Sequence, residues 1–391
     1  MRTIPDHVPP ERVRDVGLDF RGPIDDLFPR LDALRAEGRA IWVETPYGTG
    51  AWLFTRAADI RAALQTPDLF SNQFAGFDNP PMMIPIFLDP PEHTQWRRLL
   101  NPLFSPPVIA TMEDSIRARM RALVADLAPR GECDFVADIS VRFPTAVFTS
   151  WIGLPEDETP RFVGMVSSLL HGSDDPMAQG RAMAGAYGAL NTLIDDRLAS
   201  PRDDLMSRII ALQIDDRPLS KDELFKIAFL LFIAGLDTVA AALSFSFWHL
   251  AQTPEDRRRI AAGEVATQQV VEELLRRHSF VNLPRLVARD AEFAGVQLRR
   301  GDPVILSLPL ASRDPEAYGN AAAVDFDRDD VRHYAFGMGP HRCIGSHLAR
   351  LELRIAFEEW HAAIPDYRLD GEVGSYAGSV MGATNLPLRW S

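Results

Sequence analysis

Cys343 is one of two cysteines in a chain of 391 residues. It stands in FGMGPHRCIG (336–345), behind a turn built from Gly337, Gly339 and Pro340. The run that follows, GSHLARLELRIAFEEW, is strongly helix-forming. A thiol at a helix N-terminus meets free N–H groups and the positive end of the helix dipole, which favour its thiolate. Such a thiolate can serve as a nucleophile, a zinc ligand or an axial ligand to haem iron. A lone buried cysteine can also be inert. Zinc is the weakest of these readings. His341 and His347 are near in sequence and His333 is farther off, but a structural site needs four ligands and a second thiol is missing.

Three further clusters could carry chemistry. In AGLDTVAA (234–241) an acid and an alcohol, Asp237 and Thr238, stand beside Gly235 inside an apolar run. A threonine there can bond the carbonyl four residues back, whereas a buried, unpaired carboxylate is costly. Glycine and threonine together can also open a helix and leave a polar notch for dioxygen and a water. In EELLRR (272–277), Glu273 and Arg276 share a helix face. Most such pairs decorate the surface, but Val270, Val271, Leu274 and Leu275 surround this one. In HTQWR (93–97), His93 and Arg97 direct two donors to one side of a helix. Arg285, following Pro284, reads as a loop arginine.

The elements that must position these groups are mostly helical. Amphipathic runs cover 114–131 and 176–201. The segment 220–254 opens on a capping box, Ser220 with Glu223. It is apolar nearly all round from 227 to 248, so it is expected through the middle of the molecule. Strand signals cluster at 40–56, 291–308 and 385–390. The expectation is a mainly α protein with a small β region, forming one domain over 1–391, with its β-containing parts near 40–56, 291–308 and 375–391.

The net charge of −13 argues against nucleic acid as the main partner. The longest apolar run, 227–236, is shorter than the ~20 residues a bilayer needs. The first 25 residues lack the apolar core of a secretory signal, and two cysteines make no disulfide framework. A cytoplasmic protein without a membrane partner is expected.

Taken together and in this order, the motifs resemble those of the cytochrome P450 family, in its soluble bacterial, camphor-hydroxylase-like class. FGMGPHRCIG matches the haem signature F-G-x-G-x-H-x-C-x-G. AGLDT matches A-G-x-D/E-T, ELLR matches E-x-x-R, and HTQWR matches H-x-x-x-R. ASRDP (311–315) is similar to A-N-R-D-P, with Ser312 in place of Asn. The resemblance implies haem b held between a long central helix and the cysteine loop. Cys343 would be the axial ligand to the metal, with glycines including Gly345 letting the backbone donate to the sulfur. Phe336 would pack against the haem, and His93, Arg97, Arg285 and His341 would meet its propionates. Glu273 and Arg276 would be a structural pair.

By the same resemblance Asp237 and Thr238 deliver protons for dioxygen activation. The stretch 73–87 would lie over the haem as an apolar lid bearing Phe74, Phe77, Met82, Met83, Ile84, Ile86 and Phe87. Ile233, Ala234, Val281, Asn282, Leu283, Ser379 and Val380 would line the rest of the pocket. Polar anchors are few: Asn79, Asn282 and Ser379. No Arg or Lys stands in these segments to clamp a carboxylate, and Leu283 replaces an acid of the camphor-specific relative. The implied activity is hydroxylation of a small apolar substrate, terpenoid or aromatic, with O2 and electrons from an iron–sulfur ferredoxin and its reductase. The ferredoxin would dock near Arg98, Arg342 and Arg350. A peroxide-driven enzyme and a non-catalytic haem sensor or carrier are the alternatives.

Overall fold

The computed structural model describes residues 4–18, 20–45, 50–73, 83–170, 176–329 and 331–391. Phe74, Phe77, Asn79 and Met82 lie outside the described residues.

The central helix runs from Lys221 to Gln252 with the Ser220–Glu223 capping box formed in both directions. At 1.5 Å per residue it is about 48 Å long. It is long and apolar enough to cross a membrane, but 59% of its most apolar window is buried inside the protein. Helices Arg142–Ile152, Pro176–Ala199 and Ser346–Ala363 pack around it. Phe247 stacks on Phe135 at 4.1 Å and meets Trp360 edge-on at 5.5 Å. The helix is apolar on every side because one side faces a cavity rather than water. Ala234, Gly235 and Thr238 keep accessible surface there, since they line it.

The 114–131 run forms a helix from Glu113 to Leu127, a short 3₁₀ turn, and a stop at Gly131 with φ +75°. That is the left-handed position glycine fills at a helix end. Arg117 on this helix bonds Glu358 and Glu359 on the helix that follows Cys343, which ties the two together.

The main sheet has six strands in the order Val13–Gly17, Ala40–Glu44, Gly50–Phe54, Pro303–Ser307, Asn282–Val287 and Phe70–Ser71. Its middle strands are nearly continuous apolar runs, AIWVE, GAWLF and PVILS, as expected of strands covered on both faces. Asn282–Val287 corrects the loop reading of Arg285. Pro284 and Arg285 face Ile305 and Val304 across an antiparallel ladder. Pairing with partners distant in sequence overrides a proline that would argue against an interior strand. A second, three-stranded sheet joins Phe20–Pro23, Gly374–Ala377 and Gly382–Ala383, and its last strand packs on the central helix.

Candidate active site

The cysteine loop is shaped by two glycines with left-handed backbone, Gly337 at φ +65° and Gly339 at φ +70°. At Gly339 a Cβ would also lie 2.3 Å from the Leu64 carbonyl oxygen, so conformation and close approach both demand glycine. The turn closes with the Cys343 N–H donating to the Phe336 carbonyl at 2.9 Å. Burial pushes the Cys343 thiol up, while the Gly345 N–H and the charges of Arg97, Arg342 and Arg350 pull it down. The helix terminus and the nearby arginines therefore oppose burial, which weighs more.

The thiol lines an internal cavity of about 290 Å³ between this loop and the central helix. His93, Arg97, Phe336, His341 and Gly345 share the lining, and so do Ala234, Thr238 and Val281. The rings of His93 and His341 meet with centroids 3.8 Å apart and planes tilted by 34°. Both nitrogens of His93 and Nε2 of His341 are buried without a partner, and Asn72 bonds the other nitrogen of His341 at 2.7 Å. Asn72 went unnoticed in the sequence, where nothing local ties it to His341. Burial above all, then neighbouring positive groups, lowers His93 to about 4 and His341 to about 2.

Arg97 donates to the Arg342 carbonyl and to Asn101 Oδ1, both at 2.8 Å. Arg285 is not part of the lining. It is buried, donates to its neighbour Pro284, is lowered to about 10 by burial, and its charge bears on His341.

Glu273 and Arg276 are both fully buried and pair at 2.8 Å. Arg276 spends its remaining donors on the carbonyls of Ser312, Ala321 and Ala323. A charge pair this enclosed is tolerable because each hydrogen-bonding group is met.

The central helix runs through 234–241 without a break. Of the two readings of Thr238 the back-bond holds: its hydroxyl donates to the Ala234 carbonyl at 3.0 Å, and the helix shows no opened notch there. Asp237 does not line the cavity. Its Oδ1 accepts from the Tyr376 hydroxyl at 3.2 Å, and burial raises its carboxyl to about 6.

Several lid and pocket expectations are corrected. Of the expected residues, Ile84, Ile86, Ala234, Val281 and Leu283 line the cavity, whereas Met83, Phe87, Ile233, Asn282, Ser379 and Val380 stand outside the lining. Strand alternation explains part of this: Val281 and Leu283 face the cavity, so Asn282 faces away and donates to the Gly378 carbonyl at 2.9 Å. Val380 pairs with Val281 in an isolated bridge. Unforeseen wall residues are Phe104, Phe148, Trp151, Leu205, Ile227 and Leu230. Ile227 and Leu230 sit on the central helix one to two turns before Ala234, Phe104 follows the His93 helix, and Phe148, Trp151 and Leu205 come from other helices; all six are apolar and read simply as core. Glu352 was also missed: it lines the cavity, is buried, and burial holds its carboxyl well above the usual range.

One thiol, two adjoining imidazoles with unfilled ring nitrogens, an arginine and apolar walls make a donor set that fits a haem with its two carboxylates. A Cytochrome P450 family model matches residues 265–359. The chain is 36% identical to the probable cytochrome P450 127A1 of Sinorhizobium fredii, over 99% of this chain and 97% of that protein. It is 32% identical to the mycinamicin IV hydroxylase/epoxidase of Micromonospora griseorubida, over 89% and 88%. The crystal structure of cytochrome P450 CYP101C1 covers all of both chains at TM-score 0.91 and 32% identity.

Proposed function

The chain belongs to the cytochrome P450 family and is a haem b monooxygenase; from that premise we propose that it hydroxylates a small apolar substrate, terpenoid or aromatic, with electrons from an iron–sulfur ferredoxin. The observation that carries the substrate class is the cavity wall. Apart from His93, Arg97, His341, Cys343, Thr238 and Glu352, its lining is hydrocarbon, aromatic or glycine. Such a wall binds by burying apolar surface, worth about 25 cal/mol per Å², and offers few groups to orient a polar substrate.

When bound, the haem supplies the one-electron chemistry that activates dioxygen and oxidises a C–H bond. Cys343 would hold the iron, and the Gly345 N–H faces the sulfur. His93, Arg97 and His341 would receive its two carboxylates. Thr238 presents its hydroxyl at the cavity surface. Asp237, one residue back and titrating near 6, can take up and release protons at neutral pH. A single domain working in the cytoplasm suits this reading.

Two measurements test it. The reduced CO complex should show the thiolate-type spectrum, keep it in Cys133→Ala, and lose it in Cys343→Ala. Cys133 sits on the short strand Glu132–Asp134, paired with Leu388, away from the cavity lining. Small terpenoids and aromatics should shift the resting spin state and be oxygenated with a ferredoxin system. Spin shifts only with carboxylates or large polar molecules would overturn the substrate class.

A further inference from the structure

Asp237 is the acid of the acid–alcohol pair, yet its carboxyl lies outside the cavity lining and meets a residue from the far end of the chain. Tyr376 lies on strand Gly374–Ala377, directly opposite Gly382 on the neighbouring strand. That glycine leaves the phenol its path. A Cβ at 382 would stand 2.5 Å from the phenol oxygen and 2.6 Å from the ring carbon that carries it. The strand Gly382–Ala383 packs on the central helix, so the hairpin delivers the hydroxyl to Oδ1 of Asp237 at 3.2 Å.

No arginine, lysine or histidine among the described residues bears on this carboxyl. Burial raises it and the Tyr376 hydroxyl draws it down. The phenol, itself raised by burial and by Asp237, stays protonated and remains a donor. A donor aimed at the ionised form favours that form.

We infer that Tyr376 is the positioning residue for Asp237, fixing the orientation of its carboxyl and keeping it able to ionise, with Gly382 as the space this requires. The inference rests on the reading that Asp237 handles protons bound for the cavity. Without the phenol, the buried carboxyl would have no hydrogen-bond donor among the described residues and would be more protonated at neutral pH.

The test uses the holoenzyme and three variants: Tyr376→Phe, Gly382→Ala and Asp237→Asn. Infrared titration of the resting ferric protein follows the protonated Asp237 carboxyl, assigned by its loss in Asp237→Asn. In Tyr376→Phe its midpoint should rise by roughly one pH unit. Turnover should fall about threefold to tenfold, the solvent deuterium isotope effect should grow, and the substrate spin shift should keep its midpoint. Gly382→Ala should reproduce this pattern by pushing the ring aside. Should that variant fail to fold, Tyr376→Phe, which removes a single oxygen, carries the test alone. The double variant Tyr376→Phe/Asp237→Asn should be no slower than Asp237→Asn. An unmoved midpoint in Tyr376→Phe would overturn the inference, as would unchanged turnover where Asp237→Asn is slow. Unchanged turnover in Asp237→Asn would instead overturn the proton-handling role, while the infrared midpoint still reports whether Tyr376 holds the acid.

Discussion

The imidazoles of His93 and His341 lie with centroids 3.8 Å apart and planes tilted by 34°, one from a helix and one from the cysteine loop. Two charged rings could not stay there. Burial and the nearby arginines hold both neutral, and three of their four nitrogens have no partner in the protein. Buried donors left open are costly, so a ligand offering carboxylate oxygens would be stabilised on arrival.

His341→Phe should therefore keep the ring contact and the fold but lose this complementarity. Haem transfer from the variant to a scavenger should be about tenfold faster, the equivalent of one hydrogen bond, with near-ultraviolet circular dichroism unchanged. Equal transfer rates would mean that the ring only packs.

What the sequence discloses of this site divides by distance along the chain. Spacing within one element is legible: the Ser220–Glu223 cap, the pairing of Glu273 with Arg276, and His93 with Arg97 on one face. Contacts made by tertiary folding are not. Nothing near Asn72 announces His341, and nothing near Asp237 announces Tyr376. The strand Asn282–Val287 is hidden by Pro284, whose missing N–H argues against an interior strand. The same limit applies to the pocket, where Asn282 and Val281 differ only in which side of one strand they occupy.

Thr238 and Asp237 should respond differently to substitution. Thr238 lines the cavity and its hydroxyl is shared with the Ala234 carbonyl, so Thr238→Ala removes a hydrogen-bonding group from the reaction space and leaves the helix intact. Substrate spin shift should persist while reduced nicotinamide is consumed with hydrogen peroxide in place of hydroxylated product. Asp237→Asn should keep coupling but slow turnover by about 10²-fold, the scale of a lost acid–base group. Product, peroxide and oxygen measured together separate the two outcomes, and full coupling in Thr238→Ala would remove that residue from the mechanism.

Acid stability should depend on His361, far from the cavity. Its Nδ1 donates to the Phe357 carbonyl at 2.8 Å and its Nε2 accepts from Tyr367 at 3.2 Å, an arrangement only the neutral ring can make. Burial lowers it from 6.5 to about 4. Below pH 6.5 the unfolded chain binds a proton that the folded chain refuses, so stability is complete above 6.5 and is lost as pH falls toward 4. The loss attributable to this ring is roughly 3 kcal/mol. In urea unfolding across that range, His361→Gln should show a shallower decline than the parent. Parallel curves would show that the ring does not resist protonation.

Electron delivery gives the last test, and it corrects the expected docking patch. Arg350 is not a free charge: it bonds Glu272 through both Nε and Nη2, at 2.6 and 2.8 Å. Its guanidinium also lies 4.3 Å from the centroid of Phe336. Arg350→Glu would set two carboxylates against each other under the cysteine loop, so it should cost stability and haem, whatever the donor. Arg98 and Arg342 differ. Both are exposed, and among the described residues neither has an ion-pair partner. Arg97 grips the backbone carbonyl of Arg342, not its side chain, so that anchor survives substitution. In a chain of charge −13, an acidic ferredoxin needs such a local positive surface to approach. Arg342→Glu and Arg98→Glu should therefore slow stopped-flow reduction by about tenfold at low salt. The difference from the parent should shrink as salt screens it, and substrate affinity should stay fixed. Reduction as fast as the parent's at low salt in both variants would move the docking surface elsewhere.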